Sequence, residues 1–173
     1  MMDAMMNDGM ISRYRRWFDY EKDSHRRTLD SLKAVSEELR KSQEFRKAVY
    51  LMAHIVAARR MWLFRFGVLA GNVELFPREV SLAELPDQIA AMETMWTQYL
   101  NQLDDAALAR IFEYQSYEGL RFRNTIEEIL TQLFGHSWYH RGQIAQLVRS
   151  IGAEPAVTDF VFWSREPVDE REP

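Results

Sequence analysis

The stretch Leu133–Gln143, LFGHSWYHRGQ, contains two histidines four residues apart, His136 and His140. No proline interrupts the stretch, and on an α-helix this spacing puts both side chains on one face, with Cβ atoms about 5–6 Å apart. Two imidazoles so placed can bind one cation together. A third nitrogen ligand must come from elsewhere in the chain, and His54, within LMAHIVAARRMW, is the best candidate. The sequence therefore predicts a metal site built from two helices.

The size and charge of the chain limit the number of domains and the kinds of partner it can have. A chain of 173 residues suits a single domain, residues 1–173, with enough material for a core. The net charge is −4, with both signs interspersed along the chain. Such a pattern offers no basic surface for a nucleic acid and no polybasic patch for an anionic membrane. The expected partner is a small molecule.

The absence of cysteine excludes disulfides, thiolate metal ligands and a cysteine nucleophile. It is compatible with a reducing compartment, and we expect a cytoplasmic protein. The N-terminus MMDAMMNDGM lacks the apolar run of a signal peptide. No apolar stretch approaches the roughly 20 residues that span a bilayer.

The first two helices are predicted from heptad spacing and end signals. Helix 1 is expected from about Asp8 to Arg40, because apolar residues and one histidine recur every seven positions along it: Ile11, Phe18, His25, Leu32 and Leu39. Helix 2 is expected from Ser42, a plausible N-cap, to about Leu69, with Gly71 just past its end.

The second half of the chain predicts two more helices with a hairpin between them. Ser81–Glu84 has the form of a capping box and marks the start of helix 3. Apolar and polar residues alternate in Ala109–Arg123 around Glu118-Gly119, which indicates a hairpin. A second capping box, Thr125–Glu128, opens helix 4, which runs to about Ser150. The segment after residue 152 is expected to be irregular, with a mobile tail at about residues 165–173.

These elements predict an all-α fold, a four-helix bundle with a short β-hairpin before the last helix. Metal sites in bundles are built from inward side chains on facing helices. A histidine on helix 2 opposite two on helix 4 fits that arrangement.

The run from His136 to Gln143, HSWYHRGQ, resembles the signature of the DinB/YfiT-like metalloprotein superfamily. His54 followed by Trp62 and Arg65 is similar to the family's second helix. Tyr14–Asp19, YRRWFD, is similar to the start of its first helix, although Asp19 stands where asparagine is common. The resemblance covers nearly the whole chain, and its sharpest motif is the one in helix 4.

This resemblance implies a four-helix bundle, a divalent metal held by His54, His136 and His140, and often a homodimer. Members of the family with known activity include thiol-dependent S-transferases and a maleylpyruvate isomerase that uses a low-molecular-weight thiol. Many members have no established reaction.

The chemistry of three histidines indicates a catalytic kind of site, because three protein ligands leave at least one coordination position open. Zinc or nickel is the first expectation. Iron and copper also suit imidazole ligands, and manganese is a further alternative. Zinc in this setting lowers the pKa of bound water to around 7 or deprotonates a thiol. With no cysteine in the chain, a thiol would be an external cosubstrate.

Two classes of function therefore stay open. The first is a metal-dependent transferase or hydrolase that acts on a small electrophile, with a low-molecular-weight thiol as a candidate cosubstrate. The second is a non-catalytic metal-binding stress-response protein, or a bundle whose pocket merely holds a ligand. An open, polar-lined pocket at the fourth metal position favours the first class, and a sealed apolar surround favours the second. A metalloprotease of the HExxH type is disfavoured because position 137 is serine.

Three further residues are candidates for catalytic roles. His25 is either a satisfied core histidine or, if it faces the cavity, a fourth ligand, a proton shuttle or a substrate anchor. Glu21 and Asp19 are candidates for a carboxylate that supports a metal ligand or acts as a general base, and ordinary solvated positions are an equal alternative.

The arginines of the two metal-bearing helices are less informative. Arg59 and Arg60 are expected on a solvated face, with binding of an anionic substrate as the alternative. Arg141 and Gln143 are expected to serve structure, a dimer contact or the rim of the active site.

Overall fold

The structure is a computed structural model that describes residues 9–168. Its elements in chain order are α1 (Met10–Ala34), a 3-10 turn (Leu39–Lys41), α2 (Gln43–Arg65), α3 (Leu85–Asn101), α4 (Asp105–Leu108), β1 (Ile111–Gln115), β2 (Arg121–Thr125), α5 (Ile126–Ser150) and α6 (Phe160–Ser164). The predicted first residue of helix 1, Asp8, and residues 169–173 of the predicted tail lie outside the described residues.

Helices α1, α2, α3 and α5 form a bundle, in which α2 packs against α5 and α3, and α1 packs against α3 and α5. The hairpin β1–β2 precedes α5, as the sequence predicts. Its strands are antiparallel, in a register that pairs Ile111 with Thr125 and Gln115 with Arg121. The prediction of a four-helix bundle with a hairpin before the last helix is confirmed. Within residues 9–168, every helix is too short or too polar to cross a bilayer.

Helix α1 has the predicted inward stripe, because Ile11, Phe18, His25 and Leu32 are all buried. It ends at Ala34, six residues before the predicted Arg40. The backbone at Val35 is extended, with φ −62° and ψ 131°. The Arg40 guanidinium folds back and donates a hydrogen bond to the carbonyl of Val35 at 2.9 Å. This carbonyl lies just past the end of the helix.

The predicted boundaries of α2 are partly right. Ser42 is the N-cap, and its Oγ accepts from the backbone N–H of Phe45 at 3.2 Å. The helix ends at Arg65 rather than near Leu69, and the glycine that follows its end is Gly67, with φ +75°, rather than Gly71. Only glycine adopts this left-handed conformation without strain.

One predicted capping box is confirmed and the other is wrong. Thr125 Oγ1 accepts from the Glu128 N–H at 3.1 Å, and the Glu128 carboxylate accepts from the Thr125 N–H at 2.9 Å. At Ser81 the hydroxyl accepts instead from Ala83, two residues on, at 3.2 Å. That local turn delays the start of α3 to Leu85.

The short helices α4 and α6 were not expected, and α6 lies in the segment predicted to be irregular. Asp104 caps α4 by accepting from the Ala107 N–H at 2.7 Å. Helices of four and five residues are too short to show an amphipathic period.

Candidate metal centre and its cavity

The three predicted histidines converge on one point of the bundle. His54 lies on α2, and His136 and His140 lie one turn apart on the facing α5. One ring nitrogen from each lies within 4.8 Å of the other two. We call these three residues the three-histidine cluster. The centroid of the His54 ring lies 5.0 Å from that of the His136 ring and 5.0 Å from that of the His140 ring.

Hydrogen bonds orient two of the rings for coordination. The Nδ1 of His54 lies 3.0 Å from the carbonyl oxygen of Leu75, and the Nδ1 of His140 lies 2.8 Å from Oε1 of Gln143. A carbonyl oxygen only accepts, so each Nδ1 carries the proton and each Nε2 keeps a free lone pair. Histidines that bind metals in proteins are fixed in this way by their second nitrogen.

Burial keeps the rings of His54 and His136 neutral. It lowers the pKa of His136 to about 4, and the neighbouring His140, His54 and Arg59 lower that pKa further, because a proton on His136 would be repelled by charge on them. Burial also lowers the pKa of His54, although its hydrogen bond to Leu75 opposes the effect. Neutral imidazole is the form that binds a metal ion.

The spacing of one pair of ring nitrogens fits a divalent ion. Two ligands held at 2.0–2.1 Å on a tetrahedral ion lie roughly 3.3 Å apart. The Nε2 atoms of His54 and His136 are 3.2 Å apart, and the proton positions above put a lone pair rather than a hydrogen on the His54 atom. His54, His136 and His140 would supply three ligands to such an ion, and an outside molecule could supply a further one.

A cavity of about 550 Å³ adjoins the three-histidine cluster and is lined by both His54 and His136. We call it the histidine cavity. Its polar lining includes Arg65, Ser116 and Gln132, and aromatic rings form much of its wall: Trp62, Phe76, Tyr114, Tyr117 and Phe122. A ligand in the fourth metal position would therefore face an open, mainly aromatic cavity with a few polar groups.

The loop after α2 and the turn of the hairpin meet over this cavity. Phe76 stacks on the His54 ring, with centroids 5.4 Å apart and an interplanar angle of 9°. The backbone N–H of Leu75 donates to the hydroxyl of Tyr117 at 3.1 Å. The same loop residue, Leu75, thus orients a predicted ligand and fastens the hairpin to the loop.

A second polar group lies on the same helices but is sealed from solvent. The carboxylate of Glu21, on α1, lies 2.8 Å from the Arg59 guanidinium of α2 and 2.7 Å from that of Arg141 on α5. All three side chains are at most 2% exposed. We call them the buried charge cluster. Burial raises the pKa of Glu21, but Arg141 and Arg59 outweigh that effect and hold the pKa at about 2.

Neighbouring groups complete the buried charge cluster. The Arg59 guanidinium packs against three aromatic rings at 5.3–5.9 Å, those of Phe18, Trp96 and Phe134. Arg141 donates to the Tyr20 hydroxyl at 3.2 Å, and that hydroxyl donates to the carbonyl of Thr158. The chain after α5 is thereby tied to the bundle.

The remaining candidate residues lie outside the three-histidine cluster and do not line the histidine cavity. His25 is fully buried, and its Nδ1 lies 2.8 Å from a Glu93 carboxylate oxygen of α3. Glu21 belongs to the buried charge cluster. Asp19 is exposed on the surface, where it pairs with Lys22 at 2.6 Å.

The prediction that Arg59 lies on a solvated face is wrong, because its guanidinium is buried against the Glu21 carboxylate of α1. The sequence does not show that Glu21, on another helix, is the partner of Arg59. Arg60 is half-buried. Arg141 serves structure, one of its predicted alternatives, and Gln143 contacts a predicted ligand. Sequence reasoning also missed Leu75 and Phe76, since a loop that packs on a site has no periodic signal.

Comparison with known proteins places the chain in one family. The sequence model described as "DinB family" matches residues 5–171 of the chain. No curated protein and no solved structure matches the chain.

Proposed function

The chain belongs to the DinB family, and we propose that it binds one divalent metal ion through His54, His136 and His140 and acts as a metal-dependent transferase or hydrolase. Its substrate is a small electrophile, and a low-molecular-weight thiol is the favoured cosubstrate. Zinc or nickel is the favoured metal. The proposal rests mainly on one observation, the 3.2 Å approach of the His54 and His136 Nε2 atoms with Nδ1 of His54 engaged elsewhere.

The chain's own residues prepare the reaction in three ways. Leu75 and Gln143 hold two rings with Nε2 free, and burial keeps the rings of His54 and His136 neutral. The aromatic wall limits water around an electrophile in the histidine cavity. A bound divalent ion supplies Lewis acidity, which favours loss of a proton from a thiol or water.

A thiol transfer needs an external sulfur, because the chain contains no cysteine. The thiol loses its proton to solvent, a sulfur–carbon bond forms, and the leaving group departs with its electron pair. Hydrolysis follows the same order with water as the nucleophile. The cavity beside the cluster is open, although its lining is mainly aromatic rather than polar. Its openness supports these reactions over a purely metal-storing role, for which a sealed surround would suffice.

Elemental analysis tests the metal site directly. Protein purified without a histidine tag, loaded with zinc or nickel and desalted, should retain about one ion per chain. His136→Ala should retain almost none. His25→Gln serves as the matched control, because His25 is a buried histidine outside the cluster, and its metal content should equal that of the wild type. Equal metal in His136→Ala and wild type would overturn the proposed site.

Turnover assays test the reaction. The metal-loaded protein is mixed with the common cellular thiols and 1-chloro-2,4-dinitrobenzene, and separately with activated esters. We expect turnover that His136→Ala abolishes. A protein that binds metal stoichiometrically but turns over none of these mixtures would favour the non-catalytic alternative.

A further inference from the structure

Arg65 lies at the last turn of α2 and lines the histidine cavity, but the chemistry above gives it no role. It is half-buried, and its guanidinium lies over the rings of Trp62 and Tyr114, 4.6 and 4.9 Å from their centroids. Its Nη2 donates to the carbonyl of Gln115 at 3.2 Å. A guanidinium has five N–H donors, so most of its capacity is unused by these contacts.

Arg59 and Arg141, the fully buried arginines of the bundle, have a carboxylate partner, and Arg65 does not. Arg59 and Arg141 share the Glu21 carboxylate. Among residues 9–168, no carboxylate pairs with Arg65. Burial lowers its pKa, and the groups that oppose this are the hydroxyls of Tyr114 and Tyr117 rather than an acid. A half-buried arginine that faces a cavity and has no carboxylate partner can bind an anion there.

The position of Arg65 relative to the cluster sets the shape of such a ligand. Arg65 follows His54 by eleven residues, which is about three turns and about 16 Å along the helix axis. Ala58, Met61 and Trp62 lie between them on the same face and also line the cavity. Because Arg65 folds back over Trp62, its guanidinium lies nearer to His54 than its Cα does.

The walls select the body of the ligand. Five aromatic rings line the cavity, and flat apolar groups pack on such rings better than saturated ones do. Glu118 is the acidic residue of the lining, and it is exposed on the hairpin turn, where solvent screens its charge. A divalent ion at the three neutral histidines would add positive charge at the other end.

We propose that the histidine cavity binds an elongated molecule with a flat, aromatic or conjugated body and a carboxylate group, and that Arg65 binds this carboxylate. The opposite end of the molecule reaches the three-histidine cluster. The planar fork of the guanidinium matches the two oxygens of a carboxylate. This inference names the electrophile class of the proposed function and so rests on that function, although binding of the carboxylate can be tested without metal.

Isothermal titration with two probes of equal shape tests the proposal. Biphenyl-4-carboxylate carries the charge, and biphenyl-4-carboxamide does not. We expect zinc-loaded protein to bind the carboxylate about tenfold more tightly. Arg65→Gln should remove this preference and leave the affinity for the carboxamide within about twofold. Arg65→Lys, which keeps the charge but loses the fork, should give an intermediate ratio.

A control on the hairpin excludes a general charge effect. Arg123 is an exposed arginine of β2 outside the cavity lining, and Arg123→Gln should leave the ratio unchanged. Circular dichroism melting establishes that each variant is folded. A ratio near one in folded wild type, or a ratio that survives Arg65→Gln, overturns the proposal. Equal affinity for bicyclohexyl-4-carboxylate overturns the requirement for a flat body.

The His136→Ala background separates this proposal from the metal proposal. In that variant the carboxylate cannot be held by a metal at the cluster, so a preference that persists there and disappears in the double variant with Arg65→Gln supports the role of Arg65. If wild type binds no metal but shows this preference, the proposed function fails and the carboxylate site stands. If wild type binds metal without the preference, the carboxylate site alone fails.

Discussion

The three-histidine cluster and the buried charge cluster both lie between α2 and α5, the second with Glu21 of α1 added, but they are built in opposite ways. The first brings together neutral rings with free lone pairs and opens on a cavity. The second brings together full charges, two guanidinium groups that share one carboxylate, and it excludes solvent. His140 and Arg141 are adjacent in the chain, so neighbouring positions on one helix contribute to both.

This contrast indicates a division of labour. The buried charge cluster ties α1, α2 and α5 together at one level, because Glu21 contacts an arginine from each of the other two helices. Arg59 follows His54 by five residues, so this attachment also sets how α2 faces α5. The three-histidine cluster can then hold its ring nitrogens close together without a bound ligand.

The largest expected effect comes from removing the carboxylate that Arg59 and Arg141 share, and it tests whether the buried charge cluster holds the helices together. Glu21→Gln leaves two guanidinium groups buried without a counter-charge, and we expect it to lower the free energy of unfolding by about 3–5 kcal/mol. Urea denaturation followed by circular dichroism measures this change. Asp19→Asn is the matched control, because Asp19 is an exposed acid on the same helix that pairs with Lys22. It should change stability by about 0.5 kcal/mol or less.

If Glu21→Gln were no more damaging than Asp19→Asn, the buried charge cluster would not be what holds the helices together. The difference between the two sites would then be one of burial alone.

The stability that the Glu21 carboxylate contributes should also depend on pH in the acid range. The folded-state pKa of Glu21 is about 2, against 4.5 for the free group. A depressed carboxyl pKa stabilises the fold above about pH 4.5, and this stabilisation is lost as the pH falls towards 2. The stability difference between wild type and Glu21→Gln should therefore shrink by about 3 kcal/mol across that window. Denaturant titrations at several pH values measure it, and a constant difference would contradict the assignment.

His25 adds a separate dependence at milder pH. Burial lowers its pKa below 6.5, although its hydrogen bond to Glu93 opposes this. The unfolded chain then takes up the proton first, so stability is lost as the pH falls below about 6.5. The lowered pKa values of His54 and His136 act in the same direction. This loss comes before the one that Glu21 causes.

The next prediction concerns the open site. Metal binding should add stability without changing the fold, by about 2.7 kcal/mol at a free metal concentration one hundred times Kd. For a chain of this length, Tm should fall by about 5–10 °C when a chelator removes the metal. Scanning calorimetry on wild type and His136→Ala makes the comparison. His136→Ala should show no such shift, and a wild type insensitive to the chelator would argue against the three-histidine cluster as a metal site.

The sequence predicts the three-histidine cluster well and the buried charge cluster poorly, for physical reasons. The positions of His136 and His140 follow from local helix geometry, and the stripe that holds Ile11 and Phe18 follows from a heptad period. Burial of Arg59 depends on Glu21, 38 residues away, which no local pattern signals. Charged residues default to solvent in any sequence-based reading.

The ends of the helices were harder to predict than the helices themselves. Helix α1 ends at Ala34, where the backbone turns extended at Val35, and no sequence pattern marks that point. Ser81 forms a local turn rather than a cap. A serine hydroxyl can bond to either of two nearby backbone N–H groups, and the sequence alone does not separate these options.

The smallest expected effect tests whether the open site is held in place by its own neighbours. Gln143→Ala removes the acceptor at 2.8 Å from His140 Nδ1, so the ring loses the bond that fixes its proton and orientation. We expect metal affinity to fall by about tenfold while one ion per chain is still bound at saturation. Competition with a fluorescent zinc chelator measures the change. Gln146→Ala, an exposed glutamine on the same helix, is the control and should bind zinc as the wild type does. Equal affinities in the two variants would mean that packing, rather than this hydrogen bond, orients the ligand.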